Sequence, residues 1–388
     1  MRRVAIVGVG HSKFGDRQDV NLRELAFEAV KPALEDAGVS PREISYVAVG
    51  TVGSWYEELF PAVPVAEYCG LSGASLVRVE AACASGGAAV HAAYMAVASG
   101  LTDVALVVGI EKMREVDTPL MVEFLGRGGS YLWEFENFGM TFPGYYALFA
   151  TAYMNRYGAT EEDLALVSVK AHKYAAINPL AHLQKEISIE QALNSIVVSW
   201  PLKLYDCSPI SDGSAALVLA SEEKVKELRA DTPIWIAGIG SSSSTANLSY
   251  REDLLGIESA IKASQRAYKM AGLGPDRIDV ASVHDCFTIA ELLAYEDLGF
   301  CRRGEGYKMI REGETEIGGR IPVNIDGGLK AKGHPIGATG VAMVAEQTKQ
   351  LREEVKPTAR QAPLKNYTAL THNVGGTGHY CYVTILKR

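Results

Sequence analysis

Apolar positions fall in short continuous runs separated by segments whose apolar positions recur every three or four residues, a pattern of buried strands alternating with helices. Arg3–Val9, Ile44–Val49, Leu76–Val79 and Asp103–Gly109 read as strands in the first part of the chain, and Ile278–Val283 in the second. Leu22–Ala37 has helical periodicity, with Asn21 placed to cap its start and Gly38 to close its end. This alternation predicts an α/β class. The pattern also repeats: AGVSPREISYVAVG, from Ala37, matches AGLGPDRIDVASVH, from Ala271, without a gap. VAIVGVG near the start matches IWIAGIG from Ile234, DVALVVG from Asp103 resembles YTALTHNVGG from Tyr367, and GSAALVLA from Gly213 pairs with GHYCYVTI from Gly378. A repeat on this scale predicts two pseudo-symmetric βαβαβ-type halves, residues 1–221 and 222–388, around a pseudo-two-fold axis.

The halves differ in one connection. Asn373–Gly378 joins the last two strands of the second half as a short turn, whereas its counterpart in the first half runs from about Ile110 to Ser211. That insertion, about 111–210, holds a helical segment at Thr160–Ala176 and aromatics around Tyr145, Tyr146 and Phe149. A connection of this length is usually functional. If Asp103–Gly109 and Leu76–Val79 are parallel neighbours, the insertion lies over their C-terminal ends as a lid. The early Gly8-x-Gly10 has its next glycine only at Gly15, the wrong spacing for a dinucleotide loop, and reads as a tight turn.

Between Val79 and Gly100 the chain reads VEAACASGGAAVHAAYMAVASG, with no charged residue after Glu80. A helix apolar on nearly all sides belongs in a core. Its small residues, among them Gly86, Gly87 and Ala88, admit other backbone closely. Cys83 sits where strand gives way to this helix, beside free N–H groups and the positive end of the dipole, so a thiolate is expected there. The alternative is one more buried core cysteine. Aligning Ser85–Ala88 with Pro335–Ala338 through the repeat places His334 at nearly the same point as Cys83. A base beside a thiol makes an activated nucleophile. His284-Asp285-Cys286-Phe287 follows the Ile278–Val283 strand, while its counterpart Gly50–Gly53 carries no such groups. One half has gained chemistry that packing does not require. The glycine-rich 373–378 turn can aim N–H groups at a developing oxyanion.

Composition narrows the classes. A net charge of −8 argues against general nucleic-acid binding. Six cysteines are scattered without CxxC pairs, so neither a zinc site nor a disulfide framework is indicated, and a reducing cytoplasm fits better. The start, Met-Arg-Arg followed by AIVGVG, lacks the pattern of a signal peptide, and no stretch makes a good membrane span.

Taken together, AACASGG around Cys83, HDCF at 284–287, GHPIGATG at 333–340 and NVGGTG at 373–378 resemble the thiolase superfamily, and its sterol-carrier-type branch in particular. The resemblance covers essentially the whole chain. It implies a thiolase-like fold in five layers with a loop-domain insertion, and condensation of two acetyl-CoA to acetoacetyl-CoA, or the reverse thiolysis, as in archaeal members supplying the mevalonate route to isoprenoids. Cys83 is then the acylated nucleophile, His334 its base, and His284 with His334 the holders of the enolising thioester oxygen. Cys286 shuttles the α-proton, and backbone N–H groups of Cys83 and of Gly375 or Gly376 form the oxyanion hole. Phe287 and Asn373 border the substrate pocket. Other thiolases carry a second cysteine where this chain has Asn373, which moves the acid/base role to Cys286. Coenzyme A thioesters enter as substrates, with no permanently bound cofactor and no metal. The implied partners are a second copy (a dimer or dimer of dimers), a zinc-ribbon/OB-fold protein and hydroxymethylglutaryl-CoA synthase. The readings set against this are a longer-chain 3-ketoacyl-CoA thiolase, a ketoacyl synthase, a CoA-ester aldolase and a non-catalytic subunit of such a complex.

Overall fold

A computed structural model describes residues 2–53, 55–56 and 58–388. Its strands are β1 Val4–His11, β2 Tyr46–Gly50, β3 Ser75–Val79, β4 Val104–Lys112, β5 Val197–Ser199, β6 Leu202–Lys203, β7 Asp212–Ser221, β8 Ile234–Ser243, β9 Val280–Ser282, β10 Thr368–Gly375 and β11 Tyr380–Lys387. All but the β5–β6 hairpin join one sheet in the order β3-β2-β4-β7-β1-β8-β11-β10-β9. Read outward from its centre, the order pairs each strand with its sequence twin: β1 with β8, β7 with β11, β4 with β10 and β2 with β9. At the far edge Val323, bridged in parallel to Ala281, stands where β3 stands in the first half. Within the sheet, the halves join through the β1–β8 ladder, which pairs Ala5 with Trp235 and Ile6 with Ile234.

Helices fill the spaces on either side of these half-sheets. Leu22–Ala37 covers β1, β7 and β4 from outside, and Glu258–Ala271 covers β8 and β11. Ser85–Ser99, which follows Cys83, and Ile336–Arg352, which follows His334, pack on each other between the halves. The result is five layers, helix–sheet–helix–sheet–helix. Strand β4 shows why residues 104–110 are uniformly apolar: Leu106, Val108 and Ile110 face the outer helix, while Ala105 and Val107 face the central pair. Each fully buried aliphatic side chain there contributes on the order of 1.5–3 kcal/mol. Asn21 caps the Leu22–Ala37 helix by accepting from the N–H groups of Arg23 and Glu24, and Gly38 ends it at φ 63°.

Close approach explains the glycines of β1. A Cβ at Gly8 would lie 2.1 Å from the Ala33 carbonyl oxygen, and one at Gly10 1.9 Å from that of Ala29. Gly8-x-Gly10 is therefore not a turn. Both residues lie inside the strand and let the helix backbone rest on it. At the centre, a Cβ at Gly86 would meet the Gly337 oxygen at 2.7 Å, and one at Gly340 would meet the Gly87 nitrogen at 2.2 Å. The small residues of the two central helices interlock there.

Two expectations about strand order need adjusting. Strand β2 lies between β3 and β4, so the Leu76–Val79 and Asp103–Gly109 strands are not neighbours. All three are parallel, and their C-terminal ends still share one side. Asn373–Gly375 belongs to β10 rather than to a turn. The long connection from β4 to β7 carries the helices Phe142–Tyr157 and Glu161–Ala176 and the β5–β6 hairpin. Among the described residues no helix is long and apolar enough to cross a membrane.

Candidate active site

Cys83 lies on a short turn between β3 and the first central helix. Ala82 just before it has φ 51°, a left-handed conformation costly for a residue with a Cβ. Neighbouring groups hold the turn: the Ser85 hydroxyl donates to the Ala82 carbonyl at 2.6 Å and accepts from the Ala81 N–H at 2.9 Å, and the Glu80 carboxylate accepts from the Ala82 N–H at 2.6 Å. The turn thus presents the sulfur at the helix mouth without a side-chain cap of its own.

Two imidazoles from the second half converge on that sulfur. One donor atom from each of Cys83, His284 and His334 lies within 4.8 Å of the others, and the two rings meet edge to face with centroids 5.0 Å apart. The outer nitrogens are engaged: His334 Nδ1 lies 2.8 Å from Thr339 Oγ1, and His284 Nδ1 lies 3.3 Å from Asn373 Nδ2. Both Nε2 atoms are buried without a hydrogen-bond partner among the described residues. Three such donors are also a set a soft divalent cation would accept.

The HDCF loop is fixed from two sides. The Asp285 carboxylate accepts from the N–H groups of Leu329 at 2.7 Å and Lys330 at 3.3 Å, tying His284 to the loop that leads into His334. On the other side the Ser208 N–H donates to the Cys286 carbonyl at 2.9 Å, and Cys207 bridges Phe287 in antiparallel fashion. The insertion is in this way stitched to the loop it covers.

Burial dominates the electrostatics. It pushes the Cys83 thiol up to about 12, against the N–H of Gly376 and of Cys83 itself, which favour the thiolate. Burial alone brings His334 down to about 3, and burial with the neighbouring His334 and His372 lowers His284 well below the ordinary range. The thiolate expected from the helix mouth is therefore not the resting form. At neutral pH the site holds a thiol and two neutral imidazoles. Burial, then the nearby Cys83, also raises the Cys286 thiol well above its ordinary value.

Cys83 stands where two cavities join. One, of about 230 Å³, is largely apolar and bounded by Cys286, Phe287, His334, Gly376 and insertion residues including Leu125 and Leu204. The other, of about 370 Å³, opens past Trp55, Phe124 and Arg127. The insertion supplies the wall opposite the sulfur, as a lid does. Of the two glycines singled out for the oxyanion hole, Gly376 faces the sulfur with its N–H. Gly375 instead lets its strand approach the Ala81 carbonyl, where a Cβ would lie 2.2 Å from the oxygen.

Phe287 borders the apolar cavity and stacks on Tyr146 with centroids 4.6 Å apart. Asn373 borders neither cavity. It is buried beneath the site, with its carboxamide spent on the Cys83 carbonyl, the Gly87 N–H and His284. Three residues escaped the sequence reading. Tyr146 bonds to the Cys286 thiol and donates to the Gly376 carbonyl at 3.1 Å. Thr339 partners His334, and Glu111 accepts the Gly337 N–H at 2.9 Å. Only the second had a local signal, being five residues from its histidine in the same motif.

This geometry sits on a chain whose residues 4–223 match the model of the thiolase N-terminal domain and whose residues 240–388 match that of the thiolase C-terminal domain-like family. The chain belongs to the thiolase family. It is 43% identical to an acetyl-CoA acetyltransferase of Methanothermobacter thermautotrophicus across 100% of both chains. It is 32% identical to sterol carrier protein 2 of Bos taurus, over 99% of this chain and 72% of that one. Among solved structures, the Ltp2–ChsH2(DUF35) aldolase superposes with a TM-score of 0.83 at 30% identity, covering 99% of this chain and 97% of its counterpart. The thiolase is thus an acyltransferase with relatives of the sterol-carrier type.

Proposed function

We propose that this thiolase interconverts acetoacetyl-CoA plus CoA with two acetyl-CoA through an acyl group carried on Cys83. The carrying observation is the convergence of the Cys83 sulfur with two unpartnered imidazole nitrogens at the junction of two cavities. In the cleaving direction His334 Nε2 takes the thiol proton as Cys83 Sγ attacks the ketone carbon, and the oxyanion forms against the N–H groups of Cys83 and Gly376. The bond between the α-carbon and that ketone carbon breaks. Its electron pair enters the acetyl-CoA enolate, whose oxygen is held by the imidazoles and whose carbon takes the Cys286 proton. The incoming CoA thiol gives its proton to the Cys286 thiolate and attacks the acetyl-cysteine. Cys83 recovers its proton from His334. A protonated Cys286 at rest suits this direction, and the thioester-for-thioester exchange is nearly isoenergetic.

Phe287 forms part of the acyl wall and Asn373 supports the site from below. Coenzyme A thioesters are the substrates, and no resident cofactor or metal is required by this scheme. The product acetoacetyl-CoA would feed hydroxymethylglutaryl-CoA synthase and isoprenoid synthesis by the mevalonate route. A zinc-ribbon/OB-fold partner is favoured by the likeness to the Ltp2–ChsH2(DUF35) aldolase. The outer edge of β3, paired only with β2 among the described residues, is suited to pairing with a second copy. Six free cysteines agree with a cytoplasmic setting.

A second reading, cleavage of longer 3-ketoacyl-CoA, is favoured by the apolar lining of the smaller cavity. The aldolase reading needs an enolate site but gives Cys83 nothing to carry. Incubating the protein with acetoacetyl-CoA and CoA, then with 3-ketohexanoyl-CoA and CoA, tests all three. Acetyl-CoA from the first substrate at the higher kcat/KM is expected. A strong preference for the longer substrate favours the second reading, and no thiolysis of either rejects both.

A further inference from the structure

We propose that Asn373 is a positioning residue that holds His284 as the neutral tautomer protonated on Nε2, fixing it as a hydrogen-bond donor to the cavity while His334 stays free to act as the base. The inference rests on the thiolase reading of the same site. Its basis is the direction of each bond. The Gly87 N–H can only donate, and it lies 3.1 Å from Asn373 Oδ1. The Cys83 carbonyl can only accept, and it lies 3.0 Å from Asn373 Nδ2. These two backbone groups settle which end of the carboxamide is oxygen. The second hydrogen on Nδ2 then points to His284 Nδ1 at 3.3 Å, and that nitrogen must accept. The ring proton is left on Nε2, which is buried and has no partner among the described residues.

The partner of His334 differs in kind. Thr339 Oγ1 donates to the Pro335 carbonyl at 3.0 Å and so accepts from His334 Nδ1–H at 2.8 Å, a bond that the ring makes both with Nε2 free as a base and with Nε2 protonated. Asn373 Nδ2 can only donate, so a second proton on His284 would place two N–H groups face to face. One imidazole is thereby committed to holding a developing oxyanion and the other left able to exchange protons. The tautomer of an active-site histidine is commonly set by the bond its far nitrogen makes.

The direct test is the tautomer itself, read from long-range ¹⁵N–¹H correlations of the full chain labelled in histidine, with the His284 signals assigned by their loss in H284A. The free enzyme is expected to show the His284 proton on Nε2. Asn373→Asp, which can only accept at that position, is expected to move the proton to Nδ1 and to lower turnover about 10–100-fold. A proton on Nδ1 in the wild type overturns the proposal, as does an Asn373→Asp spectrum with His284 unchanged. Should that variant fail to fold, the wild-type spectrum decides alone. No substrate is needed for the spectrum, so an inactive enzyme with an Nε2–H His284 would reject the thiolase reading and keep this one. An active enzyme with an Nδ1–H His284 would do the reverse.

Discussion

The mouths of the two central helices occupy equivalent places in the repeat but are held differently. At the Cys83 helix the Gly87 N–H meets a neutral carboxamide, Asn373 of β10. At the His334 helix the equivalent Gly337 N–H meets a carboxylate, Glu111 of β4. Each helix is capped from a strand of the other half, so neither end of the site is complete without its twin. The chemistry of the caps then separates them. Glu111 only accepts, gathering Val52 N–H, Gly53 N–H, Thr51 and Tyr56 hydroxyls along with Gly337, and it knits the bare 50–53 loop to a helix. Asn373 accepts once and donates twice, and its donations go to the nucleophile's carbonyl and to a catalytic imidazole. A symmetric frame thus serves one end as a brace and the other as a working site.

Breaking the brace should have the largest effect on stability. Glu111→Ala takes their shared acceptor from five donors, of which the Thr51, Gly53 and Gly337 bonds are buried, and a loss of at least about 3 kcal/mol is expected in urea unfolding. A loss under about 1 kcal/mol would mean that water replaces the carboxylate, and the contrast between caps would lapse. Gly340→Ala attacks the other arm. Its Cβ would fall 2.2 Å from Asn373 Oδ1, and overpacking of this kind costs about 1–3 kcal/mol. Turnover should fall with it, while a fully active variant of wild-type stability would show that the helices part freely.

The electrostatic side of the comparison is sharpened by alkylation of Cys83 with iodoacetamide as a function of pH. A thiol raised to about 12 by burial stays protonated below that value and ionises only as pH rises through it. The rate should therefore climb about tenfold per unit between pH 7 and 10 with no plateau. A plateau beginning below pH 7 would show a resting thiolate–imidazolium pair instead.

Much of this was legible in the sequence because the repeat carried it. The matched segments beginning at Ala37 and Ala271 placed β2 and β9 as twins, since both strands bury the same faces in the same layers. Cys83, His284, Cys286 and His334 stood out as chemistry interrupting an apolar pattern. What the pattern could not show were partners far apart in sequence. Asn373 reaches Gly87 across 286 residues and Glu111 reaches Gly337 across 226, and nothing local marks either side chain as a cap. Gly8 and Gly10 were misread for the same reason, because the helix resting on them lies outside the motif. The Cys83 thiol shows a competition: the helix mouth and its N–H groups are local and visible, whereas the burial that outweighs them is made by residues remote in sequence, such as Trp55, Phe142 and Ile336.

The central claim, that Cys83 carries the acyl group, is tested most directly by mass spectrometry of the protein quenched during turnover of acetoacetyl-CoA and CoA. An acetyl adduct on the peptide containing Cys83 is expected, absent in Cys83→Ala together with at least about 10⁴-fold of the turnover. An adduct on Cys286, or turnover that survives the loss of Cys83, would contradict it.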